Sequence, residues 1–200
     1  MQRPEQAQAL PQRREPGKSA AAMPRTFNRL FDAICDLRNL SLAARKAGLG
    51  KREKPYVDGF RLNQEREIWR LREELLSGAY HPGPYRSFWI TDPKRRLISA
   101  APFRDRVVHH ALCNVVEPLW ERRFISESFA NRKGYGVSKA RDRFAEGVRR
   151  YPYVLKLDFA KFFPSMDHAI LKSQFRRAVR CRRTLALMDA IVDASNGHLR

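Results

Sequence analysis

The feature that most constrains the fold is a short apolar run that ends in a carboxylate. Residues 153–157 read Tyr-Val-Leu-Lys-Leu, and they lie between Pro152 and Asp158. A short, mostly apolar run bounded by turn formers predicts an interior strand, with Asp158 at its carboxyl end. Such a strand needs neighbours on both edges and cover on both faces. The rest of the sequence supplies helices but no partner strands, so we expect an incomplete sheet.

Apolar residues at helical spacing predict a helical N-terminal part. A first helix begins at Thr26, a short one covers 41–47, and a stronger one follows Asn63 as N-cap and runs to Leu76. The buried stripe of this third helix is Ile68, Leu71 and Leu75, and Gly78 lies just past its end. The basic, breaker-bearing segment 50–55 predicts a loop.

The middle of the chain predicts a hairpin followed by a long helix. Residues 85–90 and 96–100 have the composition of two strands joined by a turn. Pro102 precedes a helix that Pro118 should end or restart, because the proline ring cannot continue the hydrogen-bond ladder. Asp167 is the N-cap of a later helix. Together these elements predict a helix-rich α+β fold.

Charge and cysteine content limit the possible partners and compartment. Forty Lys and Arg against 21 Asp and Glu give a net charge of +19, which attracts polyanions and makes nucleic acid the leading partner class. Charge alone does not choose between DNA and RNA. No apolar run approaches the roughly 20 residues of a membrane span, so we expect no membrane partner. Three unclustered cysteines are typical of reduced packing residues in a cytoplasmic protein.

The segment after the predicted strand has the residue types of a metal site. Asp158 precedes a tight turn with a Phe pair, and Mg²⁺ prefers oxygen ligands from one or two carboxylates plus substrate phosphates. The backbone carbonyl of Phe159 is a natural second ligand. An aspartate after a strand is, on composition alone, more often a turn former.

The surrounding pattern resembles motif A of the reverse transcriptases, which is an apolar strand, Asp, three residues and then two aromatics. Here these are Asp158, residues 159–161, and the pair at 162–163. The continuation at 164–168, Pro-Ser-Met-Asp-His, is typical of the bacterial branch. That branch includes group II intron proteins, retrons and diversity-generating retroelement enzymes.

The resemblance extends upstream over most of the chain, from about Phe27. Residues 93–100 look like the fingers segment of these enzymes, and residues 102–112 are similar to the helix that follows it. The implied fold is a right-hand polymerase's fingers plus the first part of its palm. The implied domains are a disordered basic arm at 1–25, a helical N-terminal extension at 26–80, and fingers with a partial palm at 81–200.

The implied activity is RNA-directed DNA polymerase, with nucleotidyl transfer from a dNTP to a DNA or RNA primer 3′-hydroxyl on an RNA template. Asp158 and the Phe159 carbonyl would bind Mg²⁺, with Mn²⁺ as an alternative. The residues implied to contact the dNTP are Lys94, Arg96, Lys161, Phe162 and Phe163. Of the Phe pair, we expect Phe162 to pack and Phe163 to face the sugar.

Two basic segments are candidate nucleic-acid contacts. The loop 131–136 combines two glycines with Arg132, Lys133 and Tyr135. The alternative interpretation is an ordinary basic surface loop. Residues 172–183 contain six Lys or Arg and no acid, which favours a surface facing a duplex, with Arg176 and Arg180 as its contacts. His109 and His110 are adjacent on a helix and do not share a face, so we assign them no site.

The family's second catalytic element, a hairpin with paired aspartates, has no counterpart, because the sequence contains no Asp-Asp pair. We therefore expect a chain that stops before that element and has little polymerase activity alone. The alternative is a non-catalytic RNA-binding fragment. A DNA-directed or primase-like polymerase shares the metal chemistry but not the fingers sequence.

Overall fold

The computed structural model describes residues 29–51, 53–163 and 165–195. In these residues it contains eight helices and one two-stranded sheet: α1 Leu30–Ile34, α2 Leu37–Ala47, α3 Pro55–Leu62, α4 Gln64–Ser77, β1 Arg86–Ile90, β2 Arg96–Ala100, α5 Phe103–Glu121, α6 Val137–Arg150, α7 His168–Ala178 and α8 Arg182–Ala194. The arm expected at 1–25 lies outside the described residues. The architecture is thus helix-rich with a small sheet.

The first two predicted helices have different bounds from those expected. α2 begins at Leu37 because the carboxylate of Asp36 accepts hydrogen bonds from the backbone amides of Arg38 and Asn39, at 2.9 and 3.2 Å. The prediction of a helix starting at residue 41 was therefore wrong. The sequence also failed to predict α3, although Pro55 at its first turn is a known start signal.

The core lies where α2 packs along α5, with α1, α3 and α4 around them. Leu40 of α2 and both Val107 and Val108 of α5 are fully buried, and each such side chain contributes about 1.5–3 kcal/mol by leaving water. The predicted buried stripe of α4 is confirmed. Gly78 ends α4 with a left-handed φ of 78°, also as predicted.

α5 continues through Pro118 to Glu121, so the prediction that Pro118 interrupts it was wrong. Pro118 lies in the last turn of the helix and removes a single backbone hydrogen bond, the one that the carbonyl of Asn114 would accept. That turn is held by packing: Val116 is buried, and the ring of Trp120 meets Phe175 of α7 edge-on at 6.1 Å. Tertiary contact here outweighs the local preference of proline.

The predicted hairpin is present, and its two strands pair antiparallel with Phe88 opposite Ile98 and Trp89 opposite Leu97. Its large side chains are mostly exposed, and it packs mainly on itself.

Residues 153–157 do not form the predicted strand. They have no ladder partner, and Tyr153, Leu155 and Leu157 are 90%, 80% and 81% exposed. The only two strands in the described residues pair with each other, so the backbone here has no sheet to join. Without a partner strand among the described residues, the segment stays outside any sheet.

Candidate nucleic-acid and metal site

Asp158 lies at the surface, immediately before a tight turn. Its carboxylate accepts a hydrogen bond of 2.9 Å from the amide of Phe159. The turn places Lys161 in the left-handed region, with φ of 50°, which is uncommon for a residue with a side chain. The Ser165 hydroxyl closes the turn by donating to the carbonyls of Lys161 and Phe162, at 2.9 and 3.1 Å.

The three phenylalanines of this turn form a small surface cluster. Phe162 lies between the other two, with ring centroids 6.1 Å from Phe159 and 5.3 Å from Phe163. Phe162 is 49% exposed and Phe163 is 77% exposed. Phe162 was expected to be a packing residue. It packs only against the other phenylalanines of this cluster, because neither Phe162 nor Phe163 reaches the core.

The donor set for a divalent cation is partial. No group of three or more His, Cys, Asp or Glu side chains that could hold a metal ion occurs in residues 29–51, 53–163 and 165–195. Asp158 and the Phe159 carbonyl supply oxygen donors of the kind Mg²⁺ takes, and this cation commonly obtains its other ligands from water and substrate phosphates. The chemistry of the donors fits Mg²⁺, but their number is below a complete site.

Lys94 and Arg96, the cations assigned to the dNTP phosphates, lie on the exposed hairpin. Within the described part of the chain, no hydrogen bond or ion pair joins this hairpin to the Asp158 turn. The structure therefore presents the two groups separately. The neighbouring Arg95 is exposed, and its guanidinium lies 4.3 Å from the ring centroid of Trp89.

Arg132 makes internal contacts within its loop, and its assignment as a template contact stays a prediction. Its side chain is only 7% exposed and pairs with Glu121 at 2.9 Å. It also donates to the carbonyls of Ile125 and Ser128, at 2.9 and 3.0 Å. With these partners its guanidinium organises the loop, and the exposed side chains left for a ligand are Lys133 and Tyr135.

The basic segment of α7 is partly neutralised by α8. Arg176 pairs with Asp189 and Lys172 pairs with Asp193. The absence of acids within 172–183 was read as an unpaired surface, but the acids come from the next helix. Arg176 therefore joins two helices, and its assignment as a nucleic-acid contact stays a prediction. Arg180, by contrast, is exposed and has no ion-pair partner among the described residues.

A buried carboxylate in the first turn of α5 gave no signal in the sequence. Asp105 is 2% exposed and accepts hydrogen bonds from the Tyr80 hydroxyl and the Gly83 amide. Burial raises the pKa of Tyr80 well above its usual range, and the Asp105 charge raises it further. One turn later, burial lowers the pKa of His109, although Asp105 opposes this shift. His109 is half-buried.

The comparisons with known proteins agree with the residue patterns. No model of a known protein family matches the chain. The chain is 31% identical over 140 residues to Protein YkfC of Escherichia coli (strain K12), covering 66% of this chain and 36% of YkfC.

Two plant proteins also match. The chain is 26% identical over 136 residues to Nuclear intron maturase 2, mitochondrial, of Arabidopsis thaliana, covering 60% of the chain and 18% of the maturase. It is 27% identical over 104 residues to Nuclear intron maturase 1, mitochondrial, of the same plant, covering 51% and 15%. The chain thus spans between 15% and 36% of the length of these three relatives. The distant homology to intron maturases supports a reverse-transcriptase-related family. None of the helices in the described residues has the length and apolar character to cross a bilayer.

Proposed function

We propose that the chain supplies the fingers and the first catalytic carboxylate of an RNA-directed DNA polymerase of the bacterial retroelement type. The observation that carries this proposal is the exposed turn at 158–163, where Asp158, the phenylalanine pair and a left-handed Lys161 follow an extended apolar segment. Along the chain, this turn follows a hairpin and a long helix, as in the reverse-transcriptase pattern. The maturase homology supports the same class.

In this function Asp158 and the Phe159 carbonyl would hold Mg²⁺ or Mn²⁺, and the cation would supply Lewis-acid activation of the primer 3′-hydroxyl and charge stabilisation of the pyrophosphate. The amides of Lys161 and Phe162 face the triphosphate. Phe163, which is 77% exposed, is available to stack under the incoming sugar.

The hairpin cations supply the phosphate contacts. Lys94 and Arg96 are exposed and flank Arg95, so three adjacent cations stand at the start of β2 with Asp92 the nearest acid in sequence. Arg suits this role because its planar fork donates two parallel hydrogen bonds to phosphate oxygens.

RNA binding follows from the exposed cations and aromatics together. Trp89 with Arg95, and Tyr135 with Lys139, pair a ring with a positive charge, and such pairs bind single-stranded bases by stacking while the charge attracts phosphates. The net charge of +19 adds a long-range attraction that weakens with salt.

The test is iron-mediated cleavage, which reports metal binding without requiring turnover. Fe²⁺ replaces Mg²⁺ in the presence of an RNA template, a primer and a dNTP, and ascorbate with peroxide then cuts the backbone near the metal. We expect cleavage around residue 158 that is lost in Asp158→Ala. The matched control is Asp142→Ala, an exposed acid of α6. Cleavage that persists in Asp158→Ala contradicts the proposal.

The second candidate is RNA binding without catalysis, and the partial donor set at Asp158 favours it. It predicts RNA affinity unchanged by Asp158→Ala, no cleavage at residue 158 and no Mg²⁺-dependent extension of a primer. Extension that requires Asp158 would reject it.

A further inference from the structure

The hairpin is joined to the helices through two short stems that meet at one buried carboxylate. The first stem, residues 79–85, runs from the end of α4 to β1 and has no regular secondary structure. The second stem, residues 101–102, joins β2 to α5. Asp105 lies in the first turn of α5, directly behind both stems.

Both oxygens of Asp105 bind the first stem. Oδ1 accepts the Tyr80 hydroxyl at 2.9 Å, and Oδ2 accepts the backbone amide of Gly83 at 2.8 Å. Hydrogen bonds to a charged acceptor are stronger than neutral ones, and both partners are shielded from water here. The carboxylate thus fixes two points of the stem, three residues apart.

The two stems also touch each other at this point. A Cβ on Gly83 would lie 3.1 Å from Cγ of Pro102 and 3.4 Å from Oδ2 of Asp105. A side chain at position 83 would therefore press on the second stem, and Pro102 would have to shift by a few tenths of an ångström to admit it. The hairpin beyond has few contacts with the helices, so its orientation depends on how these stems are held.

Neighbouring charges do not replace this contact. Arg104 pairs with Glu74 of α4 and lies over the Tyr80 ring at 5.6 Å, so it packs against the same tyrosine from outside. Burial keeps Tyr80 protonated, because its pKa is raised, and its hydroxyl therefore remains a donor.

We propose that Asp105 is a positioning residue that clamps the base of the hairpin and so holds Lys94 and Arg96 in place for nucleotide phosphates. It touches no nucleotide itself. The clamp stands on the geometry of the stems alone, whereas its effect on nucleotide binding rests on the proposed function.

Hydrogen exchange tests the clamp in Asp105→Asn, a near-isosteric change that removes the charge and turns one acceptor into a donor. Amides of the hairpin, residues 86–100, are compared with those of α2 and α5. We expect hairpin exchange to accelerate about tenfold while core exchange is unchanged, because only local opening becomes easier. Tyr80→Phe is the milder second variant, since it removes a single hydroxyl, and Asp142→Asn is the surface control.

Two results would overturn the clamp. One is equal acceleration of hairpin and core exchange in both variants, which would make Asp105 a general stability residue. The other is unchanged hairpin exchange in both.

Nucleotide binding is measured on the same variants as the affinity of a dNTP for the protein bound to an RNA primer–template. We expect affinity to weaken about three- to tenfold in Asp105→Asn, as for the loss of one or two well-placed contacts. Unchanged affinity with a loosened hairpin would reject the positioning role. If the unaltered protein binds no dNTP, the proposed function fails, and hydrogen exchange still decides the clamp.

Discussion

The guanidinium of Arg132 lies 4.0 Å from the ring centroid of Tyr135, while the ammonium of Lys139 lies 5.0 Å from the same centroid. Tyr135 is thereby held by two cations, and the loop that carries it is fixed from within by the pairing of Arg132 with Glu121. Cation–ring contacts of this kind stabilise an aromatic side chain in one orientation while leaving part of the ring exposed.

Arg132→Met should destabilise the protein, because it leaves Glu121 and two backbone carbonyls without their donor. We expect a loss of about 3 kcal/mol in the free energy of unfolding, typical of breaking one side of a mostly buried pair. Urea denaturation followed by circular dichroism measures it. Lys133→Met, at the exposed neighbour, should change stability by less than about 0.5 kcal/mol. Equal stability of the two variants would show that Arg132 is not an internal contact.

The basic segment at 172–183 should bind RNA through the cations that have no ion-pair partner among the described residues, such as Arg180 between α7 and α8. Arg180→Gln is expected to lower the slope of log affinity against log salt by about 1, as for the loss of one phosphate contact. Arg176→Gln should change it less, because Asp189 already neutralises that side chain. Filter binding at several salt concentrations measures both. A larger effect at Arg176 than at Arg180 would mean that RNA displaces Asp189.

The thiols of Cys35 and Cys181 should differ in reactivity. Burial raises the pKa of Cys35 to about 11. Burial also acts to raise the pKa of Cys181, but hydrogen bonds from Thr184 and nearby amides lower it below the ordinary value. A lowered pKa means more thiolate near neutral pH, so iodoacetamide should label Cys181 well before Cys35.

The advantage of Cys181 over Cys35 should shrink once the pH passes the lowered pKa of Cys181, because its thiolate fraction then saturates while that of Cys35 keeps rising as the pH approaches its pKa of about 11. Peptide mass spectrometry after timed labelling measures each site. Rapid labelling of Cys35 in the folded protein would contradict its burial.

Asn39 should stabilise the contact between α2 and α5. Its Nδ2 donates to the carbonyls of Ile34 and Ala111, at 3.1 and 3.0 Å, and its Oδ1 accepts from Asn114 at 2.9 Å. Asn39→Ala should cost about 2 kcal/mol, because partly buried acceptors lose their donors. Thermal denaturation measures it, with Asn114→Ala as a comparison that loses fewer of these bonds. A cost at Asn39 no greater than at Asn114 would contradict this role.

The elements that depend on local sequence were predicted well. The hairpin, the buried stripe of α4 and the Asp167 cap all follow from spacing and end signals, and the Asp167 carboxylate indeed accepts the Ile170 amide at 2.9 Å. The starts of α2 and α3 were missed although both carry local signals, whereas the failure at Pro118 depends on distant partners. Pro118 is tolerated because Trp120 meets Phe175 in space, which no local rule shows.

In the candidate site, too, some features could be predicted from local sequence and others depend on distant partners. The motif around Asp158 is visible in the sequence because its residue order is distinctive. The partners of Arg132 and Arg176 are not, since Glu121 and Asp189 are recognisable as partners only once the helices are folded together. Counting charges along the chain therefore overestimated the cations available to RNA. Asp105 was missed because a lone acid at a helix start is ordinary until its burial is known.

The solitary segment 153–157 also bears on how the protein behaves in concentrated solution. Its exposed backbone and β-prone side chains are those of a nucleus for aggregation between copies. Lys156 within it acts as a gatekeeper, since stacking identical copies in register would place like charges about 4.8 Å apart. Salt screens that repulsion, with a Debye length of about 3 Å at 1 M. Raising the salt to release bound RNA therefore also weakens the repulsion between Lys156 side chains that keeps the copies apart.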